Sequence, residues 1–354
     1  MQKNFLITTG GSGGHVTPAI ILHDHLLHKA NIYISTDKRG LKFLDKNFYQ
    51  IEIIDTPKLS NIFLIPLSIF KILFLILKSF FLLKEKKIEK IFSTGGYMSL
   101  PIILSARLLK IKTYLIEPNQ VLGRANKFFL NSCEKIFCYS EDVKNFPKNL
   151  KHKIVVISPL VKENAYKMNL NARNKDKFTL LVVGGSQGAK IFDQNLKNSV
   201  ISISEKKQIK IIQQTNKNNI SYLKEFYTKN KIENEVFDFH KDFLSLLLQS
   251  DLCITRAGAS TLAELAVLNI PFIAVPLPSA KDNHQLENAN FYRKNNCCWL
   301  IQQDSFDEKI EDLLEEILMK KSEYLLIKEN LKKLNYQNSW INVNQKILGS
   351  IDEN

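Results

Sequence analysis

Gly10-Gly11-Ser12-Gly13-Gly14-His15-Val16-Thr17-Pro18 decides the fold. The apolar run Phe5-Leu6-Ile7 leads into it, and a helical pattern from Ala19 to about Lys29 leads out. A strand, a tight glycine turn and a helix in that order make a phosphate-binding corner. Glycines let backbone N–H groups face an anion with no Cβ in the way. The helix N-terminus behind them adds roughly half a positive charge. Pro18 is expected in the first helical turn, where its missing N–H is not needed. A plain dinucleotide fingerprint has no histidine at its tip, and a P-loop would carry Gly-Lys-Ser or Gly-Lys-Thr. His15 sets an imidazole, which titrates near neutral pH, beside anion-binding amides, where it can take a proton from a reacting group. The alternative is that His15 only holds the turn through a backbone carbonyl.

Working outward, short apolar runs alternate with helical periodicity, the pattern of a parallel sheet covered on both faces. Strands are expected at 4–8, 32–35, 52–55, 90–93, 113–116, 136–139 and 154–157. Ser158-Pro159 and the polar segment 162–177 then mark a boundary. The strand 178–183 runs into Gly184-Gly185-Ser186-Gln187-Gly188-Ala189 and a helix from about Lys190, repeating the opening pattern. Further strands follow at 210–214, 235–239, 252–255, 272–275 and 299–302, and then an acidic, apolar helix at 307–319. The expected fold class is α/β, with two Rossmann-like parallel-sheet domains facing each other across a cleft. The domains fall at 1–160 and 161–335, with 336–354 as a C-terminal helix packing back on the first.

Two more loops end strands of the first half. Ser93-Thr94-Gly95-Gly96-Tyr97-Met98-Ser99-Leu100-Pro101 again reads as strand, double glycine and helix start. Glu117-Pro118-Asn119-Gln120 closes a strand before Gly123-Arg124-Ala125-Asn126-Lys127 opens a helix. Together with the first loop they converge at the carboxyl ends of one sheet, where open α/β sheets bind ligands.

In the second half, Thr255-Arg256-Ala257-Gly258-Ala259-Ser260-Thr261-Leu262-Ala263-Glu264 is another strand-to-helix corner. Its small residues let a ligand lie close to the backbone. Glu264 falls about one and a half turns into the helix, where a carboxylate can accept hydrogen bonds from a vicinal diol such as ribose. After Pro276-Leu277-Pro278, the residues His284, Gln285 and Asn288 fall at helical spacings on one face that suits sugar hydroxyls. An ordinary solvated polar face is the alternative there.

The chain has 354 residues and a formal net charge of +14, which points to an anionic partner: nucleic acid, a membrane surface or a phosphate-bearing substrate. Lys, Asn, Ile and Phe are frequent throughout, as an AT-rich coding sequence would give, so part of that charge carries no message. Aromatic residues are not interleaved with basic ones in a nucleic-acid module pattern, so no nucleic-acid partner is expected. Cys133, Cys138, Cys253, Cys297 and Cys298 lack paired spacing and read as buried, reduced thiols of a cytosolic protein. The first strand begins too early to leave room for a signal peptide.

The segment Ile62–Leu83 is nearly all apolar and close to the roughly 20 residues that span a bilayer. Pro66, Lys71 and Lys78 interrupt it, and a lysine at mid-bilayer costs about 2.5–3.5 kcal/mol. It also falls where a crossover helix is required. It therefore reads as a sheet-packed helix with surplus apolar surface. Its ring of lysines (58, 71, 78, 84, 86, 87 and 90) suits an anionic phospholipid surface. Full burial is the competing reading.

Taken together, GGSGGHVTPA, GGSQGA and RAGASTLAE, with the loops at 94–101, 117–127 and 281–289 in order, resemble the bacterial peptidoglycan N-acetylglucosaminyltransferases of the GT-B superfamily. The resemblance spans essentially the whole chain. It implies inverting transfer of N-acetylglucosamine from UDP-GlcNAc to the C4 hydroxyl of lipid I, giving lipid II. It also implies a peripheral position on the cytoplasmic face of the cell membrane. The attacking hydroxyl needs a base on the face opposite the leaving UDP, for which His15 is the first candidate and Glu117 the second. Acceptor contacts are implied at Gly13, Gly14, Thr17, Gly95, Gly96, Tyr97, Asn119 and Arg124. Donor contacts are implied at Lys162, Ser186, Gln187, Gly188, His240, Gly258, Ala259, Thr261, Glu264, His284, Gln285 and Asn288. With no Asp-x-Asp motif and no His/Cys cluster, neither a catalytic metal nor a tightly bound cofactor is expected. The sequence departs from the family pattern at three places. Lys162 stands one place away from a usual Arg, His284 replaces a usual Gln, and Leu100-Pro101 replaces a more glycine-rich segment. Rival readings are a diacylglycerol glycosyltransferase, a UDP-GlcNAc 2-epimerase, and a non-catalytic membrane-associated nucleotide-binding module.

Overall fold

A computed structural model describes residues 3–57, 65–168, 177–185, 190–240 and 242–352. The chain divides into two compact units, Met1–Leu160 with Trp340–Asn354, and Val161–Ser339. Residues 336–339, expected with the last helix, therefore fall in the second unit.

The first unit holds seven strands: β1 (Lys3–Thr8), β2 (Ala30–Thr36), β3 (Gln50–Ile53), β4 (Ile88–Ser93), β5 (Lys112–Glu117), β6 (Lys135–Cys138) and β7 (Ile154–Val156). They pair in the order β3-β2-β1-β4-β5-β6-β7, every pair parallel. The strands are continuous apolar runs because helices cover both faces. These helices are α1 (Gly13–Leu26), α2 (Ile65–Glu85), α3 (Leu100–Leu108) and α4 (Arg124–Phe129). The strand order reverses direction between β1 and β4, so the loops that follow these two strands flank the switch point, where such sheets bind ligands.

Helix α1 starts earlier than expected. The amides of His15 and Val16 donate to the Ser12 carbonyl at 3.0 and 3.2 Å, so the helix begins at Gly13. Pro18 therefore lies inside the helix and not in its first turn. Having no N–H, it cannot donate to the Gly14 carbonyl.

Helix α2 buries Ile72, Leu75, Ser79, Leu82 and Leu83. On other sides it exposes Leu67, Phe70, Leu73, Phe74, Leu77 and Phe81; Phe70 is 71% exposed. The Ser105 hydroxyl of α3 donates to the Ile76 carbonyl at 2.7 Å and fastens the two helices. By length and composition, 66–85 is long and apolar enough to cross a membrane.

The second unit repeats the plan with six parallel strands. They are β8 (Phe178–Val183), β9 (Ile209–Gln214), β10 (Glu233–Phe237), β11 (Leu252–Thr255), β12 (Phe272–Ala274) and β13 (Trp299–Leu300). Their order is β10-β9-β8-β11-β12-β13, with the switch point between β8 and β11. The helices that concern the site are α5 (Glu163–Lys167), α6 (Lys190–Lys206), α9 (Ala259–Val267) and α10 (His284–Lys294). Between these come α7 (Ile220–Lys229) and α8 (Phe243–Gln249), and α11 (Phe306–Met319) and α12 (Lys321–Leu334) close the unit.

The last helix, α13 (Trp340–Asp352), buries Val343, Ile347 and Ile351 in the first unit's core beside Phe5, Ile7 and Leu22. Trp340 stacks on His25 with ring centroids 3.6 Å apart. All five cysteines are buried free thiols.

Candidate active site

In the first unit the loops after β1, β4 and β5 form one connected structure. The Thr94 hydroxyl donates to the Thr9 hydroxyl at 2.8 Å, joining the first two loops. His15 Nδ1 lies 2.8 Å from the Thr94 carbonyl oxygen. A carbonyl only accepts, so Nδ1 carries the hydrogen, and in the neutral ring Nε2 holds the lone pair. Gly96 has φ +87°, a conformation that favours glycine. A Cβ there would lie 3.8 Å from His15 Cδ2. Gly13 and Gly14 open α1, and Thr17 follows in its second turn.

Not every glycine amide faces outward. The Gly11 N–H donates to Asp37 Oδ1 at 2.8 Å, and the Gly40 N–H does so at the same distance. Burial works to raise the Asp37 carboxyl, but these two amides and Arg39 outweigh it and hold it below the ordinary carboxylate range. Arg39 donates from Nε to Asp37 Oδ2 at 2.8 Å and from its terminal nitrogen to the Tyr97 hydroxyl at 2.5 Å. Asp37 and Arg39 were not anticipated. At the end of β2 they sit in Asp37-Lys38-Arg39-Gly40, which reads as a solvated charged turn. Only the glycine after the charges hinted at a tight approach.

Glu117 ends β5 and is 2% exposed. Its Oε1 accepts from the Asn119 amide and side chain at 3.2 and 3.1 Å. Its Oε2 accepts from the Gly123 N–H and from Asn126 Nδ2 at 2.8 and 2.9 Å. Four donors thus enclose the carboxylate and fix the turn into α4, which Arg124 opens as an exposed first residue. Asn126, also unanticipated, flanks Gly95, where an added Cβ would lie 3.4 Å from its side-chain amide.

In the second unit, β8 runs into Gly184-Gly185; Ser186, Gln187 and Gly188 lie outside the described residues. The facing corner follows β11. Gly258 caps α9, Ala259 is its first residue, Thr261 lies in its first turn and Glu264 one turn on. A Cβ on Gly258 would meet nothing within 4 Å among the described residues, so protein packing does not require glycine there. Burial pushes the Glu264 carboxyl up to about 7, while the Lys162 ammonium works in the other direction. Lys162, the residue before α5, is thus close enough to act on Glu264.

Asn288 on α10 is buried, and its amide donates to the Ala257 carbonyl at 3.1 Å, tying α10 to this corner. Gln285 Oε1 accepts the Leu277 N–H at 3.0 Å. His284 Nδ1 lies 2.7 Å from the Lys281 carbonyl, and His240 Nδ1 lies 2.8 Å from that of Asp242. Arg256, quoted above only as part of its motif, is buried and donates to the Val275 and Pro276 carbonyls and to Gln303 Oε1. Burial lowers its guanidinium from the usual range. Among the described residues no group of three His, Cys, Asp or Glu is placed to hold a metal ion.

Two all-parallel units, each with a glycine corner at its switch point, give the chain a GT-B fold. Residues 5–138 match the glycosyltransferase family 28 N-terminal domain and residues 179–339 its C-terminal domain, and the chain belongs to that family. It is 48% identical over 356 residues, 100% of both chains, to the "UDP-N-acetylglucosamine--N-acetylmuramyl-(pentapeptide) pyrophosphoryl-undecaprenol N-acetylglucosamine transferase" of Pelagibacter ubique (strain HTCC1062). It is 36% identical over 332 residues, 90% of each chain, to the protein of the same name from Rickettsia felis. The crystal structure of Acinetobacter baumannii MurG superposes with a TM-score of 0.78, covering 99% of this chain and 100% of that one. At 24% identity, this last likeness concerns the fold alone.

Proposed function

We propose that this chain transfers N-acetylglucosamine from UDP-GlcNAc to the C4 hydroxyl of lipid I, undecaprenyl-diphospho-MurNAc-pentapeptide, giving lipid II. The observation that carries this reading is the 48% identity, end to end, with a transferase whose name states that reaction. A diacylglycerol glycosyltransferase, an epimerase or a non-catalytic module has no comparable support.

The proposed reaction is a single inverting displacement. The C4 oxygen of the acceptor attacks the anomeric carbon, its proton passes to a base, and the electron pair of the breaking C–O bond leaves with UDP. His15 is the base: its Nδ1–H is anchored on Thr94, which leaves Nε2 to accept the proton. Glu117 acts on structure and not as a base, because four donors already occupy its oxygens. Gly13, Gly14, Thr17, Gly95, Gly96, Tyr97, Asn119 and Arg124 receive the acceptor.

On the donor side, the first turn of α9, with Gly258, Ala259 and Thr261, stabilises the leaving diphosphate through amides and helix dipole. Ser186, Gln187 and Gly188 belong to the same role. Glu264 accepts the ribose hydroxyls, Lys162 supports it, and His240 is a further donor contact. Gln285 and His284 address the sugar, and Asn288 holds their helix in place. UDP-GlcNAc is a substrate, and no tightly bound cofactor is involved.

The exposed apolar face of α2, with Lys71, Lys78, Lys84, Lys86, Lys87 and Lys90 on or near it, supports peripheral docking on anionic phospholipid at the cytoplasmic face of the membrane. The test of the function is direct. Purified protein is given UDP-GlcNAc and a lipid I analogue, and UDP release and product mass are followed. Lipid II formation is expected; UDP-GlcNAc consumption without acceptor glycosylation overturns the proposal.

A further inference from the structure

We infer that Arg39 is a substrate-binding residue of this reaction, its guanidinium taking the diphosphate of the lipid-linked acceptor. The inference rests on the reading that the first unit receives that acceptor.

The guanidinium is held as a rigid fork. One edge, Nε and a terminal nitrogen, grips Asp37 Oδ2 at 2.8 and 2.7 Å. That same terminal nitrogen donates to the Tyr97 hydroxyl at 2.5 Å, and the cation lies 5.4 Å from the centre of the Tyr97 ring. The other terminal nitrogen has two N–H groups with no hydrogen-bond partner among the described residues. The side chain is 42% exposed. A Cβ on Gly11 would lie 3.5 Å from this guanidinium, so the cation flanks the first glycine loop. Through Tyr97, the neighbour of Gly96, it also reaches the second loop, against which the His15 ring packs.

Charge gives a second argument. A buried carboxylate, Asp37, sits directly beneath Gly11 and already occupies its amide. An incoming diphosphate would meet that negative charge in a low-dielectric site. Arg39 cancels it and leaves the two N–H donors of its other terminal nitrogen for phosphate oxygens. The fork is ordered before substrate arrives, so little side-chain entropy is lost on binding. The glycine amides alone supply no such compensation.

The experiment compares two soluble acceptor analogues, one with the diphosphate and one with a neutral linker in its place. Enzyme variants are Arg39→Gln, Arg39→Lys and Asp37→Asn/Arg39→Gln, each checked for an unchanged melting temperature. With the diphosphate analogue, Arg39→Gln should raise the acceptor KM about 10- to 100-fold, the range of a lost charge-assisted bond. Donor KM should stay within about threefold. Arg39→Lys, which keeps the charge but loses the fork, should fall between. The double variant should recover part of the loss, because Asn still accepts from Gly11 and Gly40 but no longer repels the anion. With the neutral analogue, the loss in Arg39→Gln should be at least tenfold smaller than with the diphosphate analogue. An unchanged acceptor KM in Arg39→Gln, or an equal loss on both analogues, overturns the inference. A wild-type enzyme that turns over neither analogue refutes the proposed function itself, and this inference with it.

Discussion

His15 and Thr94 are joined across the switch point by a 2.8 Å bond from the imidazole Nδ1 to a backbone carbonyl. The bond fixes both the ring's orientation and its tautomer, because a carbonyl oxygen cannot donate. It also separates the two jobs that the sequence leaves undecided for this residue. Nδ1 braces the loops, and Nε2 is left for the proposed role as base.

The two jobs can be dissected by substitution. His15→Ala should lower kcat by about 10²- to 10⁴-fold, the usual contribution of a general base, with UDP-GlcNAc affinity nearly intact. His15→Asn can still donate to Thr94 but cannot act as a base at neutral pH. It should therefore be as slow as His15→Ala while melting closer to wild type. Near-wild-type turnover in His15→Asn would leave His15 with the bracing role alone.

The fold was legible because buried parallel strands write themselves as apolar runs ended by glycine corners. Every expected strand lies within two residues of an observed one. Local chemistry was less legible. The start of α1 was misplaced because Pro18 invites a first-turn reading, whereas the Ser12 carbonyl already collects the His15 and Val16 amides. Asp37 and Arg39 were missed because their partners, Gly11 and Tyr97, lie 26 and 58 residues away in sequence and meet them only through the strand order. Glu117 was recognised as important, but its four donors come from the turn's own geometry, which no spacing rule reveals.

That enclosure gives Glu117 a testable signature. In Glu117→Gln an NH₂ group replaces one oxygen and confronts N–H donors of Asn119, Gly123 or Asn126. A buried donor left unsatisfied costs about 1–3 kcal/mol. The first unit should unfold at a clearly lower temperature, as followed by calorimetry. A variant with wild-type melting but 10²-fold slower chemistry would return Glu117 to the role of base.

The proposed membrane docking through α2 has two separable contributions. Phe70→Ser and Phe74→Ser remove apolar surface worth about 1.5–3 kcal/mol per side chain if fully buried in the interface. Each should weaken co-sedimentation with anionic vesicles about tenfold or more. Turnover of a soluble acceptor should not change. Raising salt should release the protein further, since exposed charges are screened within about 8–10 Å at 0.1–0.15 M. Equal binding to neutral and anionic vesicles would remove the lysines from the argument.

The proposed ribose contact at Glu264 makes donor binding depend on pH. Its carboxyl is pushed from 4.5 to about 7 by burial. Between those values the folded chain keeps a proton that the unfolded chain has lost, so stability falls as pH rises through that window and levels off above about 7. Donor binding has the opposite sign. Ribose hydroxyls donating to the carboxylate favour its charged form and pull the proton off. UDP should therefore bind more tightly as pH climbs toward 7, and binding near pH 6 should release a fraction of a proton. Calorimetry in buffers of different ionisation enthalpy measures that release. Glu264→Gln, which cannot titrate, should bind UDP more weakly, release no proton from this site and show a flat affinity profile across the same window. Lys162→Ala should raise the carboxyl further and shift the affinity rise to higher pH, because the ammonium is the charge that opposes protonation. Identical proton release in wild type and Glu264→Gln would place the ribose elsewhere.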